Sequence, residues 1–205
     1  MVKVKICGIT NLEDALVAVE AGADALGFNF YPKSPRYIEP GTAGRIIQTL
    51  PPFIASVGIF VNAERNRVEE IIKETRISVL QFHGNEKPEG CQFDMPVIKA
   101  VSVGFSVEAL KAYREICGVL LDSPHRGSFG GMGEVFDWTE AEKYKILARP
   151  IIISGGLGPE NVEEAIQKVS PYGVDACSRL EKEPGKKNHQ YVRQFITRAK
   201  SVNRK

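Results

Sequence analysis

Val2-Lys3-Val4-Lys5-Ile6-Cys7-Gly8-Ile9-Thr10-Asn11-Leu12-Glu13-Asp14-Ala15-Leu16-Val17-Ala18-Val19-Glu20-Ala21-Gly22 holds the unit from which the rest of the chain is built. Val2 to Cys7 alternates apolar and polar residues with period two, the pattern of a strand. Asn11 to Ala21 then reads as a helix. Asn11 suits the N-cap, Asp14 follows three residues later, and Gly22 stands just past the end. Val2, Val4 and Ile6 share one face of the strand, and Lys3, Lys5 and Cys7 the other.

The same pair recurs along the chain. Strands are predicted at 23–30, 54–61, 77–82, 96–101, 118–122, 151–154 and 173–177. Helices are predicted at 40–50, 64–75, 107–116, 139–147, 159–169 and 190–199, with a weak helical stretch at 88–93. Pro40 and Pro159 open their helices, where the missing N–H costs nothing. Eight βα units without a linker or shift in composition argue one parallel-sheet domain over residues 1–205. An open doubly wound sheet is the competing architecture. The count of eight, at about 26 residues per unit for 205 residues, favours a single (β/α)8 TIM barrel of the α/β class. Such barrels typically need about 250 residues, so this one is of minimal size. Its one generous loop, Ser123 to Glu134, carries Gly127, Gly130, Gly131 and Gly133, and reads as a lid or a slack connection.

Composition narrows the function. With 43% hydrophobic and 25% charged residues the chain is an ordinary globule, which excludes disordered, collagenous and coiled-coil classes. Lys+Arg 27 against Asp+Glu 25 leaves +2, no basic excess for nucleic acid or an anionic membrane. Charges at every second N-terminal residue exclude a secretory leader, and no apolar run approaches the ~20 residues that span a bilayer. A cytoplasmic protein is expected. Cys7, Cys91, Cys117 and Cys177 form no CxxC pair and have no histidine at zinc-ligand spacing, so a reduced compartment and no structural metal are expected.

Barrel active sites lie on the loops after the strands. With its apolar face on the helices, the first strand points Cys7 into the barrel mouth and Lys5 one layer below. A lone cysteine is more commonly an inert small hydrophobe, but a cationic neighbour favours the thiolate that acts as a base. Asp122 closes the sixth strand, either as a loop cap or as an acid facing Cys7. Ser154-Gly155-Gly156-Leu157 after the seventh strand, with Ser178 and Arg179 after the eighth, suits a phosphate held on backbone N–H groups. Arg179 adds charge there or is a solvated side chain. Arg36, in Pro32-Lys33-Ser34-Pro35-Arg36-Tyr37, is a surface residue or a stiffly held carboxylate clamp. His83 ends the fourth strand as a structural residue or a ligand contact, and Asp175 on the eighth joins the substrate-binding candidates.

These residues fall in an ordered series. It runs Lys5-Ile6-Cys7-Gly8-Ile9-Thr10, Gly27-Phe28-Asn29-Phe30, Ser34-Pro35-Arg36-Tyr37, Gly58-Ile59-Phe60-Val61-Asn62 and Gln81-Phe82-His83-Gly84. It continues through Leu120-Leu121-Asp122-Ser123, Gly130-Gly131-Met132-Gly133, Phe136-Asp137-Trp138, Ser154-Gly155-Gly156-Leu157, Pro159-Glu160-Asn161-Val162 and Pro184-Gly185-Lys186-Lys187. The set resembles phosphoribosylanthranilate isomerase, the barrel enzyme family of tryptophan biosynthesis, over essentially the whole chain.

The resemblance implies the Amadori rearrangement of N-(5'-phosphoribosyl)anthranilate without cofactor or metal. Asp122 would be the general acid and Cys7 the general base. Arg36 would hold the anthranilate carboxylate, and Gly155, Gly156, Ser178 and Arg179 the phosphate. The implied partner is this small phosphorylated substrate, and monomer and homodimer both stay open. Three positions depart from the family pattern. Glu134 follows Gly133 where Lys is common, Cys177-Ser178-Arg179-Leu180-Glu181 replaces Ser-Ser-Gly-Val-Glu, and Asn188 replaces Asp after Lys186-Lys187. A histidine-pathway sugar-phosphate isomerase is the nearest alternative, but that family uses two aspartates. A catalytically dead phosphate-binding barrel is the alternative from another class.

Overall fold

The computed structural model describes residues 1–123 and 137–202, so the glycine-rich lid candidate, with Gly127, Gly130, Gly131, Gly133 and Glu134, lies outside the described residues. Eight parallel strands close on themselves in chain order. They are β1 (Lys3–Cys7), β2 (Ala25–Asn29), β3 (Ala55–Phe60), β4 (Val79–Phe82), β5 (Val97–Ser102), β6 (Gly118–Asp122), β7 (Ile151–Ile153) and β8 (Gly173–Ala176). β8 pairs back onto β1, with Lys5 opposite Asp175 and Ile6 opposite Ala176. The sheet is a closed (β/α)8 barrel and not an open one. Every strand lies within two residues of its predicted span.

Among the described residues six α-helices surround it: α1 (Leu12–Glu20), α2 (Pro40–Ile47), α3 (Arg65–Thr75), α4 (Val107–Leu110), α5 (Val162–Val169) and α6 (His189–Ser201). The Asn11 side chain accepts from the Asp14 N–H at 2.9 Å, the cap read from sequence. Two cores result. The large outer one joins Val2, Val4 and Ile6 of the first strand segment to Ala15 and Ala18 of α1 and to Phe195 and Ile196 of α6. The small inner one is Ile98, Ala100, Leu120 and Ile152, inside the barrel. Each fully buried aliphatic side chain contributes about 1.5–3 kcal/mol.

That division sets the direction of every residue at the mouth. Val119 and Leu121 pack outward and Leu120 inward, so Asp122 shares the inward parity. By the same alternation Lys5 and Cys7 on β1, Gln81 and His83 at β4, and Asp175 and Cys177 at β8 face inward.

Where helices were expected at 107–116 and 139–147, tighter structure forms. α4 stops at Leu110, and Tyr113 continues with an N–H bond to the Leu110 carbonyl, three residues back. Trp138–Leu147 is a 3-10 helix, whose Trp138, Ala141 and Tyr144 are buried at intervals of three. That period matches the three residues per turn of a 3-10 helix, not the 3.6 of an α-helix. α5 begins at Val162 and not at Pro159, because the Gly158 N–H bonds the Asn161 side chain at 2.8 Å and Val162 N–H bonds the Gly158 carbonyl. A hairpin with no counterpart in the sequence reading, β9 (Glu181–Glu183) with β10 (Lys186–Lys187), turns at Pro184-Gly185.

No helix among the described residues is long and apolar enough to cross a membrane.

Candidate active site

Asp122 ends β6, buried at 4% exposure, and its Oδ1 accepts from the Ser123 N–H at 2.8 Å. His83, at the end of β4, places Nε2 3.3 Å from Asp122 Oδ2. Gln81 Nε2 meets the other ring nitrogen at 3.3 Å. The histidine thus belongs to the surroundings of the acid candidate.

Gly155 has φ +76°, and a Cβ there would stand 2.6 Å from Ser123 N and 2.9 Å from Asp122 Oδ1. Its first duty is therefore to let the β7 loop pass over the Asp122 carboxylate, a demand separate from the phosphate role read from sequence. Gly156, φ +61°, lends its carbonyl to the Asn161 side chain at 2.9 Å.

Cys7 ends β1 and Cys177 directly follows the neighbouring β8, and both are partly exposed. Under them Lys5 Nζ meets Asp175 Oδ1 at 2.9 Å, and Asp175 Oδ2 accepts from Ser154 Oγ at 3.2 Å. Asp175 is buried with both oxygens engaged, which makes it a support for the mouth from within the barrel. Burial opposes the Lys5 charge, but Asp175 and Cys7 outweigh it and hold the ammonium above its ordinary range. The hydrogen bond with Cys177 and then burial push the Cys7 thiol well up, against the pull of Lys5. The expected thiolate-favouring effect of Lys5 is thus present but outweighed. Cys177 moves the other way, to about 7, because the Cys7 hydrogen bond and the Lys187 and Arg36 charges stabilise its thiolate against burial.

Arg36 is not a surface residue. Its Nε reaches Glu181 Oε1 at 2.9 Å and its Nη2 reaches Oε2 at 2.8 Å, a two-point clamp with the Arg36 side chain 13% exposed. Burial works against the Arg36 charge, but the Glu181 carboxylate overcomes it and raises the guanidinium further. Lys187, fully buried, reaches Glu181 Oε1 at 3.0 Å and Cys177 Sγ at 3.7 Å. Glu181 and Lys187 were not singled out from sequence. The available signal was Pro184-Gly185, a turn that folds both residues back on the mouth.

Ser178 and Arg179 begin a 3-10 turn after β8. The Arg179 side chain pairs with Glu160 of the preceding βα loop, after β7. It ties the β7 and β8 loops together at the surface, with the Arg179 side chain 39% exposed. Among the described residues, no group of three metal-ligating side chains is present.

The mouth therefore holds a carboxyl beside an imidazole on one side and a thiol pair within three cations on the other. This suits proton transfer at two atoms of one small anionic molecule.

Comparison with known proteins covers nearly the whole chain. The family model for N-(5'phosphoribosyl)anthranilate (PRA) isomerase matches residues 4–198. The N-(5'-phosphoribosyl)anthranilate isomerase of Geotalea uraniireducens is 50% identical over 205 residues, covering 98% of this chain and all of its own. A crystal structure of phosphoribosyl anthranilate isomerase in complex with reduced 1-(o-carboxyphenylamino)-1-deoxyribulose 5-phosphate superposes with a TM-score of 0.86 at 45% identity, covering 98% of this chain and all of that one. A structure of monomers of the dimeric isomerase from Thermotoga maritima gives 0.85 at 43% identity, with the same coverage.

Proposed function

The chain belongs to the N-(5'-phosphoribosyl)anthranilate isomerase family, and from that membership we propose that Asp122 is the general acid and Cys7 the general base of the rearrangement. Asp122 donates a proton to the furanose ring oxygen, and the sugar opens to a Schiff base. Cys7 as thiolate removes the proton from C2' of the sugar, giving the enolamine that tautomerises to the ketose. The observation that carries this reading is the inward parity of both residues at the ends of β6 and β1, where they meet one substrate from two sides. His83, 3.3 Å from Asp122, positions the carboxyl.

Arg36 meets the anthranilate carboxylate with the edge that Glu181 does not occupy, since planar two-point recognition suits a guanidinium. The β7 and β8 loops, with Gly155, Gly156, Ser178 and Arg179, take the phosphate through backbone N–H groups, as is common after the last two strands of such barrels. Support comes from the related isomerase bound to a reduced carboxyphenylamino deoxyribulose phosphate. Arg179 would contribute its backbone, because its side chain is held by Glu160.

The test is Asp122→Asn and Cys7→Ser, assayed by loss of phosphoribosylanthranilate fluorescence beside the histidine-pathway substrate. Each variant is expected to lose about 10²-fold or more in kcat, the scale of general acid–base catalysis, with an unchanged circular dichroism spectrum. Near-normal turnover in either would refute the assignment. Turnover of only the second substrate would favour the histidine-pathway alternative.

We further propose that two chains associate through the end of the barrel opposite the active site. Phe53 is 95% exposed there, at the rim of a hollow lined by Val57, Val79, Ile98 and Ile152. A large exposed aromatic beside an apolar hollow is self-complementary under a two-fold axis. The Thermotoga maritima relative described as dimeric is consistent with this state.

A further inference from the structure

Cys177 is the reactive side chain at the mouth that the proposed chemistry leaves unused. The β1–β8 register pairs Lys5 with Asp175 and Ile6 with Ala176, which makes Cys7 and Cys177 the next facing residues. Facing residues of paired strands point to the same side, and neighbouring strands lie about 4.8 Å apart. That spacing falls inside the Cα separation of about 4.4–6.8 Å that a disulfide bridges. The Cys177 side chain is turned toward β1. A Cβ on Gly8, the residue after Cys7, would meet Cys177 Sγ at 2.8 Å, so this sulfur already reaches over the end of β1. Both thiols are partly exposed, so a small solute reaches them.

Charge makes the pair reactive. Lys5, Arg36 and Lys187 stand around it, and only Asp175 and Glu181 balance them through ion pairs of 2.9, 2.8 and 3.0 Å. One positive charge is left over, which a single thiolate in the pair neutralises. The thiolate is the form that attacks peroxides and disulfides.

We propose that Cys7 and Cys177 form an oxidative modification site, at which a hydroperoxide closes the pair into an intramolecular disulfide. The Cys177 thiolate attacks one peroxide oxygen and the O–O bond breaks. Cys177 becomes a sulfenic acid, and the peroxide leaves as the alkoxide, or as hydroxide from hydrogen peroxide. The Cys7 sulfur then attacks the Cys177 sulfur, forming S–S and breaking S–O. The departing hydroxide takes the Cys7 proton and leaves as water. Two thiols are oxidised by two electrons, and one peroxide is reduced to an alcohol, or to water, with a second water released. The effect on turnover rests on Cys7 being the base, whereas disulfide formation does not.

The experiment treats the full chain with hydrogen peroxide, blocks remaining thiols with N-ethylmaleimide, and maps peptides by mass spectrometry. Turnover is measured before and after dithiothreitol. Wild type is expected to lose two hydrogen atoms in mass, yield a linked Cys7–Cys177 peptide, and lose roughly tenfold or more in rate, the loss of a general base. Dithiothreitol restores both thiols and the rate. Cys177→Ser and Cys177→Ala, each compared with its own untreated rate, are expected to form no such link and to drive Cys7 on to sulfinic acid, which dithiothreitol does not reverse. Recovery of both thiols as maleimide adducts after peroxide would overturn the proposal. So would oxidation that links only Cys117 between chains. A linked peptide with undiminished turnover would keep the modification site and refute Cys7 as the base.

Discussion

Asp122 and Cys7 were legible as strand-end residues one at a time, because strand parity fixes direction once the apolar face is known; Arg36, in a loop, is open between surface and clamp on sequence alone. Their partners were not legible. Glu181 clamps Arg36 from 145 positions away in sequence, and Asp175 pairs with Lys5 from 170 positions away. No local pattern encodes such separations. Gly155 is the clearest case of a residue read correctly in place and incompletely in role. Gly155→Ala forces a positive φ on a residue with a Cβ, which costs about 1–3 kcal/mol, and drives that Cβ against the Asp122 carboxylate. Gly104→Ala carries the same backbone strain at φ +100° with nothing within 4 Å. Thermal melts are expected to fall in both variants, while kcat falls only in Gly155→Ala. Equal kcat in the two would mean that the close approach to Asp122 has no catalytic consequence.

At the scale of elements, strands were the secure part of the reading and helices the insecure part. Alternation in strands such as Gly118–Asp122 has a single period, whereas the three-residue spacing of the buried Trp138, Ala141 and Tyr144 lies close to the 3.6 of an α-helix. The 3-10 segment has a tertiary reason to exist. Tyr144, fully buried, donates its hydroxyl to the Phe105 carbonyl at 2.8 Å and accepts from the Gly104 N–H at 3.1 Å, so it fixes the loop after β5. Tyr144→Phe leaves both backbone groups without this partner. A loss of about 1–3 kcal/mol is expected in urea denaturation, with activity little changed because the loop is remote from Asp122 and Cys7 in role. A change below a few tenths of a kcal/mol would show that water replaces the hydroxyl. The β9–β10 hairpin is the element whose absence from the reading mattered most, since it delivers Glu181 and Lys187 to the mouth.

On the scale of the whole molecule, closure of the barrel divides the protein into two ends with different work. The C-terminal ends of the strands collect charge, and the other end leaves Phe53 and an apolar hollow. If that end joins two chains, Phe53→Asp is expected to halve the mass in light scattering while preserving the spectrum of the folded barrel; an unchanged mass would place the contact elsewhere or exclude it. The sequence by itself determined the repeated βα unit, the strand spans, the inward direction of Cys7, and the family. These follow from periodicity and from local order along the chain. Only the tertiary structure decided that Arg36 is clamped, that Arg179 turns to Glu160, and that Cys7 meets a second thiol. The physical reason is closure itself: bringing β8 back onto β1 places the C-terminal elements against the first strand, and the charges there take their partners across that seam.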